Sequence, residues 1–129
     1  MSKRKATIII VDDDEGVQQV FKIIFQKAGY RTIIYSDGEK ILNNDFEIPD
    51  IFLLDKQLSG SDGLDICRKL KKSAKTKNIP VIIVSASPGV GKLALAAGAD
   101  DFIEKPFITA DLLRKVSTTL DNFIPEFHS

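Results

Sequence analysis

The sequence predicts an α/β fold: a three-layer sandwich with a five-stranded parallel sheet and helices on both faces. Two observations predict it. Five short apolar runs recur along the 129 residues, and the stretch after each has the periodicity or capping residues of a helix. The connections between these units are short, which forces parallel strands and right-handed crossovers. No repeat, linker or low-complexity segment interrupts the alternation.

The elements follow in order. Thr7–Val11 is a near-continuous β-branched run, as suits a strand buried on both faces. Between Glu15 and Ala28, Val17, Val20, Phe21, Ile24 and Phe25 form the stripe of an amphipathic helix, and Gly29 is its stop. Thr32–Tyr35 is a second strand. Ser36-Asp37-Gly38-Glu39 has the form of a capping box and opens a short helix that fades at Asn43-Asn44. Ile51–Leu54 is a third strand, and Gly63–Ser73 a helix with Leu64, Cys67 and Leu70 facing inward. Val81–Val84 is a fourth strand, introduced by Pro80. Val90 to about Ala97 is a short helix ended by Gly98. Phe102–Glu104 is a fifth strand. Thr109 caps a last helix with Leu112, Leu113, Val116 and Leu120 on its buried side. The expected strand order is 2-1-3-4-5, the flavodoxin-like arrangement.

Length and composition bound the function. One domain over residues 1–129, with its core over about 6–124, uses the whole chain. The 43% apolar and 28% charged content is that of an ordinary globular protein. Eighteen basic and eighteen acidic side chains cancel, so no overall charge points to DNA or a membrane surface. No apolar run approaches the roughly 20 residues of a membrane span. The N-terminal apolar stretch is too short for a signal peptide. A cytoplasmic location is expected. The single cysteine, Cys67, leaves no internal disulfide and reads as a core residue.

In an open parallel sheet, ligands bind beyond the carboxyl ends of the strands. Here those ends carry Asp12-Asp13-Asp14, Asp55, Ser85 and Lys105-Pro106. Each alone reads as a helix cap or a solvated loop residue; their joint occurrence at one edge is the signal. Two carboxylates about 4 Å apart repel by roughly 4 kcal/mol at an effective dielectric of 20, so such a cluster needs a counter-charge. Oxygen ligands suit Mg2+. Lys105 adds an ammonium and Ser85 a hydroxyl donor. Together these groups suit one phosphoryl group.

These residues resemble the receiver domains of two-component response regulators, in particular the single-domain chemotaxis-type regulators. The motifs are Ile10-Val11-Asp12-Asp13, Phe52-Leu53-Leu54-Asp55 with Gly63, Val84-Ser85-Ala86, and Gly98-Ala99-Asp100-Asp101-Phe102 leading to Lys105-Pro106-Phe107. The resemblance covers about Thr7 to Phe123. It implies that Asp55 accepts a phosphoryl group from a phosphohistidine on a sensor histidine kinase or a histidine phosphotransfer protein. It implies Mg2+ held by Asp12, Asp13, Asp55 and the backbone carbonyl of Gln57. Lys105 would pair with the phosphoryl oxygens, across a cis bond to Pro106, and Ser85 would hydrogen-bond the phosphoryl group. Phe102 would then move inward and alter the face of helix 4, strand 5 and helix 5, a population shift read by a downstream protein. The resemblance implies a signalling phosphoacceptor that catalyses its own phosphorylation and dephosphorylation, not a metabolic enzyme. A monomer or weak dimer with no direct nucleic-acid partner and no membrane partner is expected.

Some positions depart from the family pattern. Ser59 stands where a proline is frequent, four residues after Asp55, which predicts a more mobile loop. Ser85 replaces the commoner threonine, and Phe102 lacks a phenolic hydroxyl. Gln57 and Ser87 border the expected phosphoryl position and bear on its lifetime. The segment from Ser85 to Gly98 is about two residues short, which predicts a short or irregular helix 4. Three other features have weaker claims. Ser85–Leu93 (SASPGVGKL) looks like a nucleotide phosphate cradle, but Ala86 and Leu93 stand where that motif needs Gly and Ser or Thr. The basic run Arg68–Lys77 reads as a solvated helix C-terminus. His128 is far in sequence from the acids. Two alternative functions remain: a pseudo-receiver that binds without phosphorylation, and a small haloacid-dehalogenase-like phosphohydrolase using Asp12-x-Asp14.

Overall fold

The computed structural model describes residues 5–124; His128 lies outside the described residues. The elements are β1 (Thr7–Val11), α1 (Glu15–Lys27), β2 (Arg31–Tyr35), α2 (Glu39–Leu42), β3 (Ile51–Asp55), α3 (Gly63–Lys72), β4 (Val81–Ser85), α4 (Val90–Ala96), β5 (Asp101–Glu104) and α5 (Thr109–Phe123). All four pairings are parallel, in the order β2-β1-β3-β4-β5. This is the expected flavodoxin-like topology.

The alternation of side chains along each strand divides the core in two. Ile9, Val11, Phe52, Leu54, Val81 and Ile83 point to one face and pack under α2, α3 and α4. Ile8, Ile10, Ile51, Leu53, Ile82 and Val84 point to the other and pack under α1 and α5. Cys67 is fully buried in the first cluster, as expected, and its thiol faces the Ala97 carbonyl oxygen at 3.6 Å. The α1 stripe is narrower than its sequence: Phe21 and Phe25 are buried, whereas Val20 is 48% exposed.

Helix starts are set by aspartates. The Asp14 carboxylate accepts from the Val17 N–H at 3.0 Å, and that of Asp62 from the Leu64 N–H at 2.8 Å. Two expected caps fall elsewhere. Asp37, not Ser36, accepts from the Glu39 N–H at 2.9 Å, because α2 begins only at Glu39; the Ser36 hydroxyl accepts from the Gln18 amide instead. Thr109 is the first residue inside α5, and Ile108 occupies the cap with no side-chain bond. Helix α4 has seven residues, short as expected.

One element is absent from the sequence reading. Gln57–Leu58 and Ser61–Asp62 pair as a two-residue antiparallel hairpin beyond β3. Gly60 turns it with φ +77, in the left-handed region. The Lys56 and Asp62 side chains pair across its base at 3.3 Å.

Candidate functional site

The register of the sheet brings its carboxyl ends to one edge. Val11 pairs with Leu54, Asp55 with Val84, and Ser85 with Glu104, so the residues that follow stand side by side. The Lys105 N–H donates to the Ser85 carbonyl and the Lys56 N–H to the Val84 carbonyl, which carries the strand order one residue past the sheet. The Lys105–Pro106 bond is cis.

Asp12, Asp13 and Asp55 converge, each offering a carboxylate oxygen, with all three oxygens within 4.8 Å of one another. Asp12 is 1% exposed and Asp55 9% exposed, whereas Asp13 is open to solvent. The Lys105 ammonium lies 3.3 Å from Asp12 Oδ2 and 3.4 Å from Asp55 Oδ2, so it supplies the counter-charge the cluster requires. Asp12 Oδ1 accepts from the Asp14 N–H at 2.9 Å, and Asp55 Oδ1 from the Gln57 N–H at 3.3 Å. Burial pushes the Asp55 carboxyl above the ordinary carboxylate range; the Lys105 ammonium pulls against that rise, and the Asp12 carboxylate adds to it.

Ser85 and Phe102 are not part of this cluster. Ser85 is fully buried at the end of β4, and its hydroxyl oxygen accepts from the Ser87 N–H at 3.0 Å. Its own O–H remains available as a donor. The Phe102 ring is partly buried against α4 and lies under the Lys115 ammonium, 5.0 Å from the ring centroid. Gln57 has an exposed side chain and sits on the hairpin.

The sequence marks Ser59 only as a departure from a frequent proline. Its N–H and its hydroxyl both donate to Asp13 Oδ2, at 3.0 and 2.9 Å, so the loop expected to be mobile is tied to the acidic cluster. Gly63 went unexplained in the sequence. A Cβ there would stand 2.1 Å from the Asp55 carbonyl oxygen, so only glycine lets α3 start this close to the end of β3. In the segment Ser85–Leu93, Gly91 faces the Phe102 ring; a Cβ on it would meet three ring carbons at 2.6 to 3.0 Å. Asp14 is turned into its cap on α1 and is not a member of the Asp12, Asp13 and Asp55 cluster.

The donor set fits Mg2+: three carboxylates from the ends of β1 and β3 meet beside a lysine, and carboxylates are hard oxygen ligands. A family model for the response regulator receiver domain matches residues 8–117. The DNA-binding response regulator MtrA of Mycolicibacterium smegmatis is 32% identical over 123 residues, which cover 93% of this chain and 53% of that protein. The chain therefore spans about half the length of the curated relatives it matches. Those names correct one expectation. Nucleic acid was excluded as a direct partner on charge balance, yet the relatives are named DNA-binding; the charge of these 129 residues speaks for these residues alone. No helix among the described residues is long and apolar enough to cross a membrane.

Two solved structures extend the comparison. A putative response regulator from Chloroflexus aurantiacus superimposes with a TM-score of 0.85 at 28% identity, covering 91% of this chain and 98% of that one. The receiver domain of a sensor histidine kinase from Pseudomonas aeruginosa gives 0.81 at 26% identity over 91% and 98%, and carries a magnesium ion coordinated in its active site cleft. Receiver domains are signalling phosphoacceptors. With the topology, the acidic cluster beside Lys105 and the match over residues 8–117 in agreement, the chain belongs to the response regulator receiver domains of two-component signalling.

Proposed function

We propose that this chain takes a phosphoryl group onto Asp55 from a phosphohistidine of a sensor kinase or histidine phosphotransfer protein, and that the whole sequence acts as one receiver unit. The observation that carries the reading is the lysine bridge: Lys105 touches both buried carboxylates, with Asp13 alongside. An Asp55 carboxylate oxygen attacks the phosphorus, the phosphorus–nitrogen bond breaks, and its electron pair returns to the imidazole, which takes up a proton. Mg2+, when bound, supplies positive charge to the phosphoryl oxygens. Asp12, Asp13, Asp55 and the Gln57 carbonyl would hold it.

The residues of this chain do the rest. Lys105 moves from carboxylate to phosphoryl oxygen, a short step for a flexible ammonium. The Ser85 O–H donates to the same group, and Phe102 follows inward, altering the face of α4, β5 and α5 for a partner. Water attack on phosphorus later restores the Asp55 carboxylate and releases phosphate, on the domain itself or with a phosphatase.

The test is intact-mass spectrometry after incubation with acetyl phosphate, with and without Mg2+. One added phosphoryl group is expected, dependent on Mg2+ and absent in Asp55→Asn. Label that persists in Asp55→Asn on Asp12 would sink the assignment.

A further inference from the structure

We propose that Ser59 is a positioning residue for the Asp13 carboxylate, and that its clamp strengthens divalent-cation binding before any phosphoryl group arrives. This rests on the receiver reading of the site.

Asp13 is the exposed member of the cluster, and an exposed aspartate samples several rotamers. Its neighbours have other anchors: Asp12 is held by Lys105 and the Asp14 N–H, and Asp14 caps α1. Among the described residues, Asp13 takes its hydrogen bonds from Ser59 alone, through both the N–H and the hydroxyl. Both donors meet Oδ2, which leaves Oδ1 without a donor among the described residues and available as a ligand.

The platform behind Ser59 is built to hold it. Leu58 is buried, Gly60 makes the turn, and Lys56 pairs with Asp62 at the base of the hairpin. The Gly63 N–H donates to the Lys56 carbonyl at 2.7 Å and closes the hairpin onto α3. The same hairpin carries Gln57, so Ser59 fixes the β1–α1 loop against the segment that bears the fourth proposed ligand. A proline at this position has no N–H and no hydroxyl and could make neither bond. Groups that hydrogen-bond a metal ligand orient it, and their loss commonly costs about 10–100-fold in metal affinity.

The experiment titrates Mg2+ into the full chain by calorimetry, for wild type, Ser59→Ala, Ser59→Thr and Ser59→Pro, with thermal unfolding in chelator run in parallel. Because one clamping bond survives in Ser59→Ala, a loss near the lower limit, about tenfold, is expected there, and a larger one in Ser59→Pro. Ser59→Thr keeps the hydroxyl and should restore affinity. A Ser59→Ala chain that unfolds earlier in chelator yet binds Mg2+ like wild type would show a purely structural role and overturn the inference. A wild type that binds no Mg2+ overturns the inference together with the metal site. If Ser59→Pro does not fold, Ser59→Ala and Ser59→Thr decide the matter.

Discussion

Replacing Gly63 by alanine tests how Asp55, the proposed acceptor, is held. The new Cβ would lie 2.1 Å from the Asp55 carbonyl oxygen, 2.9 Å from the Asp55 carbonyl carbon and 2.9 Å from Lys56 Cα. Ordinary contact begins near 3.4 Å, so the first of these is more than 1 Å too short. All three atoms are backbone, so no side chain can rotate aside. Either α3 or the end of β3 must move. Overpacking costs about 1–3 kcal/mol, and a backbone clash belongs at the upper end. A displacement near 1 Å of a reacting group costs about 100-fold in rate. Equilibrium urea unfolding should show a loss of about 3 kcal/mol, and acetyl phosphate labelling of Asp55 should slow by about that factor. Gly60→Ala is the comparison: its φ is +77, but no atom lies within 4 Å of the added Cβ. Its cost is conformational, about 1–2 kcal/mol. Wild-type stability and labelling in Gly63→Ala would refute the steric argument.

Two other outcomes follow from burial and close contact. Burial pushes the Cys67 thiol up from 9.0 to about 11. Its neutral form is thus favoured in the folded state, and its contribution to stability is complete below pH 9 and lost as pH rises toward 11. A disulfide reagent at pH 8 should label Cys67 only at the rate of unfolding, and rapid labelling of native protein would contradict this. Gly91→Ala places a Cβ against the Phe102 ring, a flexible side chain rather than backbone. The ring should swing away at about 1 kcal/mol, the low end of overpacking, seen as shifted Phe102 ring protons by NMR; unshifted protons would mean that the contact is not made.

The edge of the sheet was legible because parallel strands align their carboxyl ends. Once Thr7–Val11, Ile51–Leu54 and Val81–Val84 are strands, Asp12, Asp55 and Ser85 must be neighbours, whatever the helices do. The lysine followed from the same rule. Contacts made by loops were not legible. Ser59 and Asp13 are 46 residues apart, and nothing in their spacing points a serine at an aspartate. The hairpin that aims it has only two-residue strands, too short for any periodicity. The Ser36 cap failed for a related reason: Ser36-x-x-Glu39 and Asp37-x-Glu39 both offer a start, and only the position of the first helical turn chooses between them.

The short α4 gains meaning from the glycine that the segment Ser85–Leu93 contains. Gly91 has no side chain because the Phe102 ring occupies the space, so α4 and β5 approach through that ring. Lys115 of α5 also lies over the ring, donates to the Phe102 carbonyl at 2.7 Å and pairs with Asp101 at 3.4 Å. One aromatic side chain therefore joins α4, β5 and α5 by packing and by a cation–π contact. A change in the Phe102 rotamer would alter the packing against Gly91 and the cation–π contact with Lys115 together. The ring is held by these contacts and not by a polar tip.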